Sequence, residues 1–232
     1  MREINRHIGI IGNDTQLVLA RHYSAAYVGI KEDSPDLSRL DLVKKIWQST
    51  IDFSQDDYVL DLGAGRQILE RDYIRLNGVP NFRFVTVDIA SLKNHQLLER
   101  KNGALHVRAS GSALPFGENT FSMAVSNMAL DFMPDGSIDE LYRVVKPESP
   151  VYVNLHHPDI IPADLEERMG MKIYSRRTKQ VFEFWRYLRD NKILCGSEKE
   201  VAEMFCESQF TIESISTKSE SRGKWWEVEL RA

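Results

Sequence analysis

A short apolar run that ends in an acid and two glycines does most to limit how this chain can fold. Residues 58–60 form the run, Asp61 follows it, and Gly63 and Gly65 interrupt the chain directly afterwards. Apolar runs of this length that stop at glycine are typical of buried β-strands. Glycine also permits the positive φ angles of a tight turn and lets a ligand approach the backbone closely. The segment therefore predicts a buried strand that ends at a ligand-binding turn.

Downstream of this turn, short apolar runs alternate with stretches long enough for helices. In one such stretch, residues 137–145, Ile138, Leu141 and Val145 fall on one helical face. A strand–helix–strand rhythm of this kind predicts a parallel sheet covered by helices on both faces. The predicted strands of this sheet are residues 58–60, 82–87, 105–107, 121–125 and 151–155.

The C-terminal end of the chain carries the pattern of an antiparallel hairpin. Ser197 and Glu200 fit a capping box at the start of a helix. Residues 210–215 and 226–230 then alternate with period two on either side of a turn at residues 219–223. Mixed sheets of this class often carry antiparallel strands at one edge. The predicted fold is an α/β, Rossmann-like three-layer sandwich, with a seven-stranded, mostly parallel sheet and a C-terminal antiparallel hairpin.

Two segments stand outside this rhythm. Residues 1–55 are predicted to form an N-terminal helical cap, and residues 159–192 a helical lid inserted into a core that spans residues 56–232. Both segments could cover the carboxyl ends of the strands, where open α/β sheets bind their ligands. The apolar residues that define their helical faces are Leu40, Val43, Trp47, Val181, Phe184, Trp185 and Leu188.

The bulk composition limits the possible partners. The chain has 232 residues and a formal net charge of −4, so no overall basic field favours a nucleic-acid partner. No stretch approaches the roughly 20 consecutive apolar residues of a membrane span, and the first residues do not resemble a secretory signal. Cys195 and Cys206 fit neither a metal motif nor a disulfide framework. A cytoplasmic location is expected, without a membrane partner or a metal site.

The glycine turn does not match the common phosphate-binding loops. A dinucleotide fingerprint would need a third glycine at position 68, which is Ile68, and no Gly-Lys-Ser/Thr follows for a P-loop. Asp61 at the mouth of the turn repels phosphate and suits a ligand with an ammonium group. Asp88 ends the second predicted strand, where an acid can bind both hydroxyls of a ribose. A ligand with a ribose, an amine and no pyrophosphate fits S-adenosylmethionine.

These segments resemble the class I S-adenosylmethionine-dependent methyltransferases, and more closely those that act on small molecules. Residues 59–65 resemble the first motif of the family, and residues 109–121 resemble the segment between its third and fourth strands. Residues 126–130 and 141–147 resemble the end of its fourth strand and the turn into the fifth. The resemblance covers about residues 57–155.

The resemblance implies roles for individual residues. Gly63, Ala64 and Gly65 would pass close to the methionine part of the cofactor, Asp61 would lie near its amino group, and Asp88 would bind its ribose. Methyl transfer would leave S-adenosylhomocysteine as the product. The other implied cofactor residues are Ile89, Ser110, Gly111 and Ser112 near the adenine, Asn127 and Met128 near the methionine, and Tyr23 closing over the ligand.

Three positions depart from the family's pattern. Gln67 replaces the third glycine of the turn and could narrow it. Ser110 replaces the acid that usually meets the adenine amino group, and a hydroxyl accepts that hydrogen bond more weakly than a carboxylate. Glu148, Ser149 and Pro150 replace a Gly-Gly turn before the fifth strand. The first two departures are where cofactor binding would be weaker than is usual in the family.

Methyl transfer from a sulfonium needs an aligned nucleophile, and an oxygen or carbon nucleophile often also needs a base. His156 and His157 follow the fifth predicted strand, and Asp131 lies a few residues after the fourth. These three residues are the catalytic candidates, and histidine is suited to the role because it titrates near neutral pH. The expected acceptor is a small metabolite, methylated on oxygen, nitrogen or carbon, between the N-terminal cap and the lid.

Two other functions remain open from the sequence. A basic run that includes Arg176, Arg177 and Lys179 could hold an acidic partner, which would make the chain an RNA or protein methyltransferase. A chain of this fold could also be a non-catalytic cofactor-binding or interaction module, which Gln67 and Ser110 would favour. The sequence does not distinguish a monomer from a homodimer.

Overall fold

Seven strands organise the part of the chain that the computed structural model describes, which is residues 37–65, 67–89, 104–160, 188, 194–220 and 223–232. The strands are β1 (Tyr58–Leu62), β2 (Arg83–Asp88), β3 (Leu105–Arg108), β4 (Met123–Asn127), β5 (Pro150–His156), β6 (Thr211–Glu220) and β7 (Gly223–Arg231). The helices described are α1 (Leu37–Ser49), α2 (Ile68–Asn77), α3 (Ser137–Val144) and α4 (Glu198–Phe205), with 3-10 turns at Leu130–Phe132 and Pro158–Ile160.

The strands form one sheet in the order β3-β2-β1-β4-β5-β7-β6. Strands β1 to β5 run parallel, and β7 lies antiparallel between β5 and β6. This arrangement confirms the predicted mostly parallel α/β sheet with its C-terminal antiparallel hairpin. The strand order reverses at β1 and β4, whose carboxyl ends border the crevice in which open α/β sheets bind ligands.

The largest differences from the predicted boundaries lie at the start of β4 and at the turn of the hairpin. Phe121, predicted to lie in the fourth strand, makes only an isolated bridge to Val145, and β4 begins two residues later at Met123. The N–H of Phe121 bonds instead to a carbonyl at the end of α3 at 2.9 Å, which keeps it out of the ladder. The turn of the hairpin is shorter than predicted, since Glu220 already pairs with Gly223.

Alternating side chains give the sheet two buried faces. Along β1, Val59 packs with α1 and α2, whereas Leu60 and Leu62 pack with α3 and α4 on the opposite face. Strands covered on both faces carry continuous apolar runs, which is why β1 was recognisable in the sequence. By the same alternation Asp61 falls on the α1–α2 face, so this face becomes polar toward the carboxyl ends of the strands.

Helix α1 packs on that face through Ser38, Leu42 and Ile46, which recur every four residues. Val43 is buried as predicted, but Trp47, predicted to share the buried face, is 48% exposed. Trp47 lies about 140° around the helix from Leu42, because successive helical residues are about 100° apart. It therefore sits at the edge of the covered stripe.

The cap and the lid extend largely outside the described residues. Residues 1–36 of the cap, and the lid apart from positions 159, 160 and 188, are not described, so these boundaries remain predictions. Leu188, a member of the predicted apolar stripe of the lid, is buried. None of the helices in the described ranges has the length and apolar character needed to cross a bilayer.

Candidate cofactor and catalytic site

The chain after β1 makes a sharp turn that is tied to the end of β2. The N–H groups of Gly63 and Ala64 both donate to the carbonyl of Val87, at 2.8 and 3.0 Å. Gly63 and Gly65 have φ angles of 80° and 50°, which favour glycine. A Cβ on Gly63 would lie 2.3 Å from the Cβ of Ala129, so the turn presses against the segment after β4. The carboxyl ends of β1, β2 and β4 therefore meet at this turn.

Asp88 joins the turn from the neighbouring strand. Its Oδ2 accepts a hydrogen bond from the N–H of Gly65 at 2.9 Å. The next residue, Ile89, accepts a hydrogen bond at its carbonyl from Nε of Arg108 at 3.1 Å, which ties it to the end of β3. The positions predicted for the ribose and the methionine of the cofactor are thus adjacent in the structure.

Asp61 forms a buried carboxyl pair with Glu70 of α2. The two residues are 2% and 1% exposed. Within the described part of the chain, no N–H or O–H group donates to Asp61 Oδ1 or to either Glu70 oxygen. Because two neighbouring carboxylates that are buried without donors repel each other, the pair favours one shared proton. Burial, then the charges of Glu70 and Asp88, raise the pKa of Asp61, and burial raises the pKa of Glu70.

Glu70→Gln is expected to change how folding stability depends on pH. When folding raises the pKa of a carboxyl group, the folded protein loses stability as the pH rises. The loss begins at the pKa of the unfolded chain, about 4, and continues through the raised pKa of the folded state. The free energy of unfolding of the wild type should therefore fall, relative to that of the variant, as the pH rises above about 4. Urea unfolding at several pH values measures this difference, and parallel curves for the two proteins would contradict the shared proton.

Gln67 occupies the place of the family's third glycine, with a φ of 54° and a fully buried side chain. Its Nε2 donates to Oγ1 of Thr86 at 2.7 Å, and that oxygen lies 2.9 Å from Nδ1 of His106. The side chain therefore bonds to β2 beneath the turn. Nothing in the sequence pattern indicated these contacts, which join residues far apart in the chain.

The residues predicted to lie near the adenine follow β3. Ser110 forms an isolated bridge with Ala113, and its Oγ lies 3.1 Å from Oγ of Ser112. A Cβ on Gly111 would lie 2.7 Å from Sδ of Met133. This small turn is therefore packed against the segment between β4 and α3, at the same edge of the sheet as Asp88.

The residues predicted to lie near the methionine end β4. Asn127 is the last residue of the strand, and Met128 turns the chain with a φ of 57°. A positive φ in a residue other than glycine is a strained conformation that neighbouring contacts must hold. Here Asn154 of β5 supplies those contacts: its carbonyl accepts from the N–H of Met128 at 2.8 Å, and its Nδ2 donates to Oδ1 of Asn127 at 3.0 Å. Sequence reasoning missed Asn154.

Two of the three catalytic candidates form a pair. Oδ2 of Asp131 accepts from the backbone N–H of His156 at 2.9 Å and lies 2.8 Å from its Nδ1. The side chains of His156 and Asp131 are 1% and 6% exposed, and the Phe132 ring lies 4.7 Å from the imidazole. His157 does not join this pair. Its Nδ1 accepts a hydrogen bond from the N–H of Asp159 at 3.0 Å. Burial lowers the pKa of His157. Tyr23, the remaining predicted site residue, lies outside the described residues.

Comparisons with known proteins agree with this geometry. Residues 60–153 match a family described as a methyltransferase domain. The fold is similar to that of a 1,6-didemethyltoxoflavin-N1-methyltransferase from Burkholderia thailandensis, solved with 1,6-didemethyltoxoflavin and S-adenosylhomocysteine, at 14% identity and a TM-score of 0.64, over 94% of this chain and 88% of that one. It is also similar to the [4+2]-cyclase SpnF, at 14% identity and a TM-score of 0.60, over 93% and 92% of the two chains.

A third similar structure is a geranyl diphosphate methyltransferase in complex with GPP and sinefungin, at 9% identity and a TM-score of 0.56, over 83% of this chain and 77% of that one. No curated protein sequence matches the chain. At such identities the structural likeness shows the fold, while the family match spans the glycine turn, Asp88 and the end of β4. The described residues therefore adopt a Rossmann-like fold, and residues 60–153 match a methyltransferase domain.

Proposed function

We propose that this chain is an S-adenosylmethionine-dependent methyltransferase that acts on a small-molecule acceptor, and that His156, held by Asp131, removes the proton from the acceptor atom. The observation that carries the proposal is the 2.8 Å contact between Nδ1 of His156 and Oδ2 of Asp131. His156 is the last residue of β5, at the carboxyl edge of the sheet, where the glycine turn also lies. Cofactor and base would therefore share one edge.

The contact with Asp131 selects one tautomer of His156. A carboxylate can only accept hydrogen bonds, so Nδ1 carries the proton and Nε2 carries the lone pair of a base. When Nε2 takes a proton, the buried carboxylate stabilises the imidazolium that forms. This pair suits an acceptor with a removable proton, such as a hydroxyl, an N–H or an acidic C–H group.

The residues of the turn fit the cofactor. Asp88 offers a carboxylate to ribose hydroxyls. A Cβ on Gly65 would meet no described residue within 4 Å, so the backbone there is open to a ligand on the described side of the site. The bound cofactor supplies an electrophilic methyl group on a sulfonium whose leaving group is neutral. The residues that we assign to it are Tyr23, Asp61, Gly63, Ala64, Gly65, Asp88, Ile89, Ser110, Gly111, Ser112, Asn127 and Met128.

Two observations favour a small acceptor over a macromolecule. Similar structures carry the names of enzymes for 1,6-didemethyltoxoflavin and geranyl diphosphate, which are both small molecules. The net charge of −4 gives no general attraction for nucleic acid. A cytoplasmic location, where soluble metabolites and the cofactor are both present, is part of the proposal.

Calorimetry with S-adenosylhomocysteine tests the cofactor site. The wild type should bind it, and Asp88→Ala should weaken binding by about 1–3 kcal/mol because the ribose hydroxyls lose their acceptor. Glu213→Ala is the matched control, since it removes an exposed carboxylate that pairs with Arg231 at 2.6 Å on the far hairpin. Absence of binding to the wild type would overturn the cofactor site, and an unchanged affinity of Asp88→Ala would remove Asp88 from it.

Incubation with S-adenosylmethionine and a metabolite extract tests the acceptor class. Mass spectrometry should find a methylated small molecule that accumulates together with S-adenosylhomocysteine. Methylation confined to added RNA or protein would contradict the proposal. A cofactor that binds without any methylated product in either pool would favour a non-catalytic module.

A further inference from the structure

Asn154 lies at the centre of three polar contacts at the carboxyl end of β5. Its side chain is fully buried, and its Nδ2 donates both to the carbonyl of Ser38, at 3.1 Å, and to Oδ1 of Asn127, at 3.0 Å. Its own carbonyl accepts from the N–H of Met128 at 2.8 Å. The side chain of Asn154 therefore joins the first turn of α1 to Asn127, and its backbone carbonyl holds Met128.

These contacts determine which atom of each carboxamide faces which partner. The carbonyl of Ser38 can only accept, so the nitrogen of Asn154 must face it. The same nitrogen also donates to Asn127, whose facing atom must therefore be Oδ1. The nitrogen of Asn127 is the atom left for a further partner, and within the described ranges no group accepts a hydrogen bond from it.

We propose that Asn154 is a positioning residue for the amino-acid end of the cofactor. By holding Oδ1 of Asn127, it presents Nδ2 of Asn127 as a donor to the carboxylate of the cofactor. A carboxylate can only accept hydrogen bonds. If the side-chain amide of Asn127 were turned the other way, its oxygen would face an oxygen of that carboxylate and no hydrogen bond would form. Asn154 also holds the strained backbone at Met128, so the side chain and the backbone at the end of β4 are fixed together. This role of Asn154 rests on the proposed cofactor site, because Asn154 holds Asn127 and Met128 in the positions that they take there.

Two nucleosides separate this role from a general structural one. S-adenosylhomocysteine carries the amino-acid end, whereas 5′-methylthioadenosine lacks it. Asn154→Ala should weaken binding of S-adenosylhomocysteine about tenfold, the effect of losing one hydrogen bond to a charged group. Its affinity for 5′-methylthioadenosine should not change. Both affinities are measured by calorimetry on the full chain, and equal weakening of the two nucleosides would overturn the positioning role.

A matched control and a double variant complete the experiment. Tyr152→Phe removes the 3.0 Å contact between the Tyr152 hydroxyl and Oγ of Ser49, which also joins β5 to α1 but at the far end of the helix. It should leave both affinities unchanged. Asn127→Ala should reproduce the loss of Asn154→Ala, and the double variant should add nothing, because Asn154 acts through Asn127. Additive losses would overturn the inference.

The remaining outcomes are also decisive. If Asn154→Ala does not fold, Asn127→Ala decides alone: a loss confined to S-adenosylhomocysteine supports the donor role, and no loss overturns it. A wild type that binds S-adenosylhomocysteine but is insensitive to either substitution overturns the inference and leaves the proposed function intact. A wild type that binds neither nucleoside overturns the proposed function itself.

Discussion

His156→Gln is expected to lower the rate of methyl transfer by about 10²–10⁴-fold, the usual contribution of a positioned general base. Glutamine can still hydrogen-bond to Asp131, but it has no basic nitrogen. The affinity for S-adenosylhomocysteine should stay unchanged, because His156 is not among the residues assigned to the cofactor. The rate is measured by product formation on the acceptor that the metabolite screen identifies.

Two further variants test the assignment of the base. Asp131→Asn should also lower the rate, since an amide can donate to Nδ1 and so stabilise the wrong tautomer of His156. If His157→Gln abolishes turnover while His156→Gln preserves it, the base is His157 and the Asp131 contact has another purpose.

Gly63→Ala is expected to lower the free energy of unfolding by about 2–5 kcal/mol. A positive φ, here 80°, disfavours any residue with a Cβ by about 1–2 kcal/mol. The new methyl group would also lie 2.3 Å from the Cβ of Ala129, and overpacking of this kind adds about 1–3 kcal/mol. Urea unfolding followed by the fluorescence of the buried Trp225 and Trp226 measures the change.

Gly65→Ala provides the matched comparison. Gly65 also has a positive φ, but a Cβ there would meet no atom of the described part of the chain within 4 Å. Only the backbone contribution of about 1–2 kcal/mol should remain. Equal losses in the two variants would mean that contact with Ala129 is not what requires glycine at position 63.

The fold was predictable because its main signals are local. Strand β1 is covered on both faces, so its sequence is an apolar run. The last 25 or so residues alternate with period two because they form a hairpin whose two strands pair with each other. The errors arose where a distant group decides the outcome. Phe121 leaves the ladder because a carbonyl at the end of α3 takes its N–H, and no local pattern shows that. Trp47 shares the spacing of Val43, yet the sheet covers only one side of α1.

The residues of the candidate site also fall into those that a local motif predicts and those that depend on distant partners. The motif marked the glycine turn and Asp88, and the structure brings them to one edge. The motif could not mark their supporting partners. Glu70 stands in a helix among other charged residues, and only the fold places it against Asp61. Asn154 lies inside an apolar strand, and its meaning depends on residues 27 and 116 positions away. Local patterns carry no information on such pairings.

The way α1 is attached matters for exchanging parts between enzymes of this class. Nζ of Lys45 lies 3.0 Å from Glu227 and 2.6 Å from Glu229 of β7, and Arg39 pairs with Asp72 of α2. Glu227 and Asp72 are both buried. Removing a cation that pairs with a buried acid destabilises the folded protein. A chimera that replaced everything up to position 55 would remove Lys45 and Arg39, which would leave Glu227 paired with Lys218 and Asp72 paired with Arg75. A junction placed before α1 would keep Lys45 with Glu227 and Arg39 with Asp72, and it would still exchange the segment that precedes the helix.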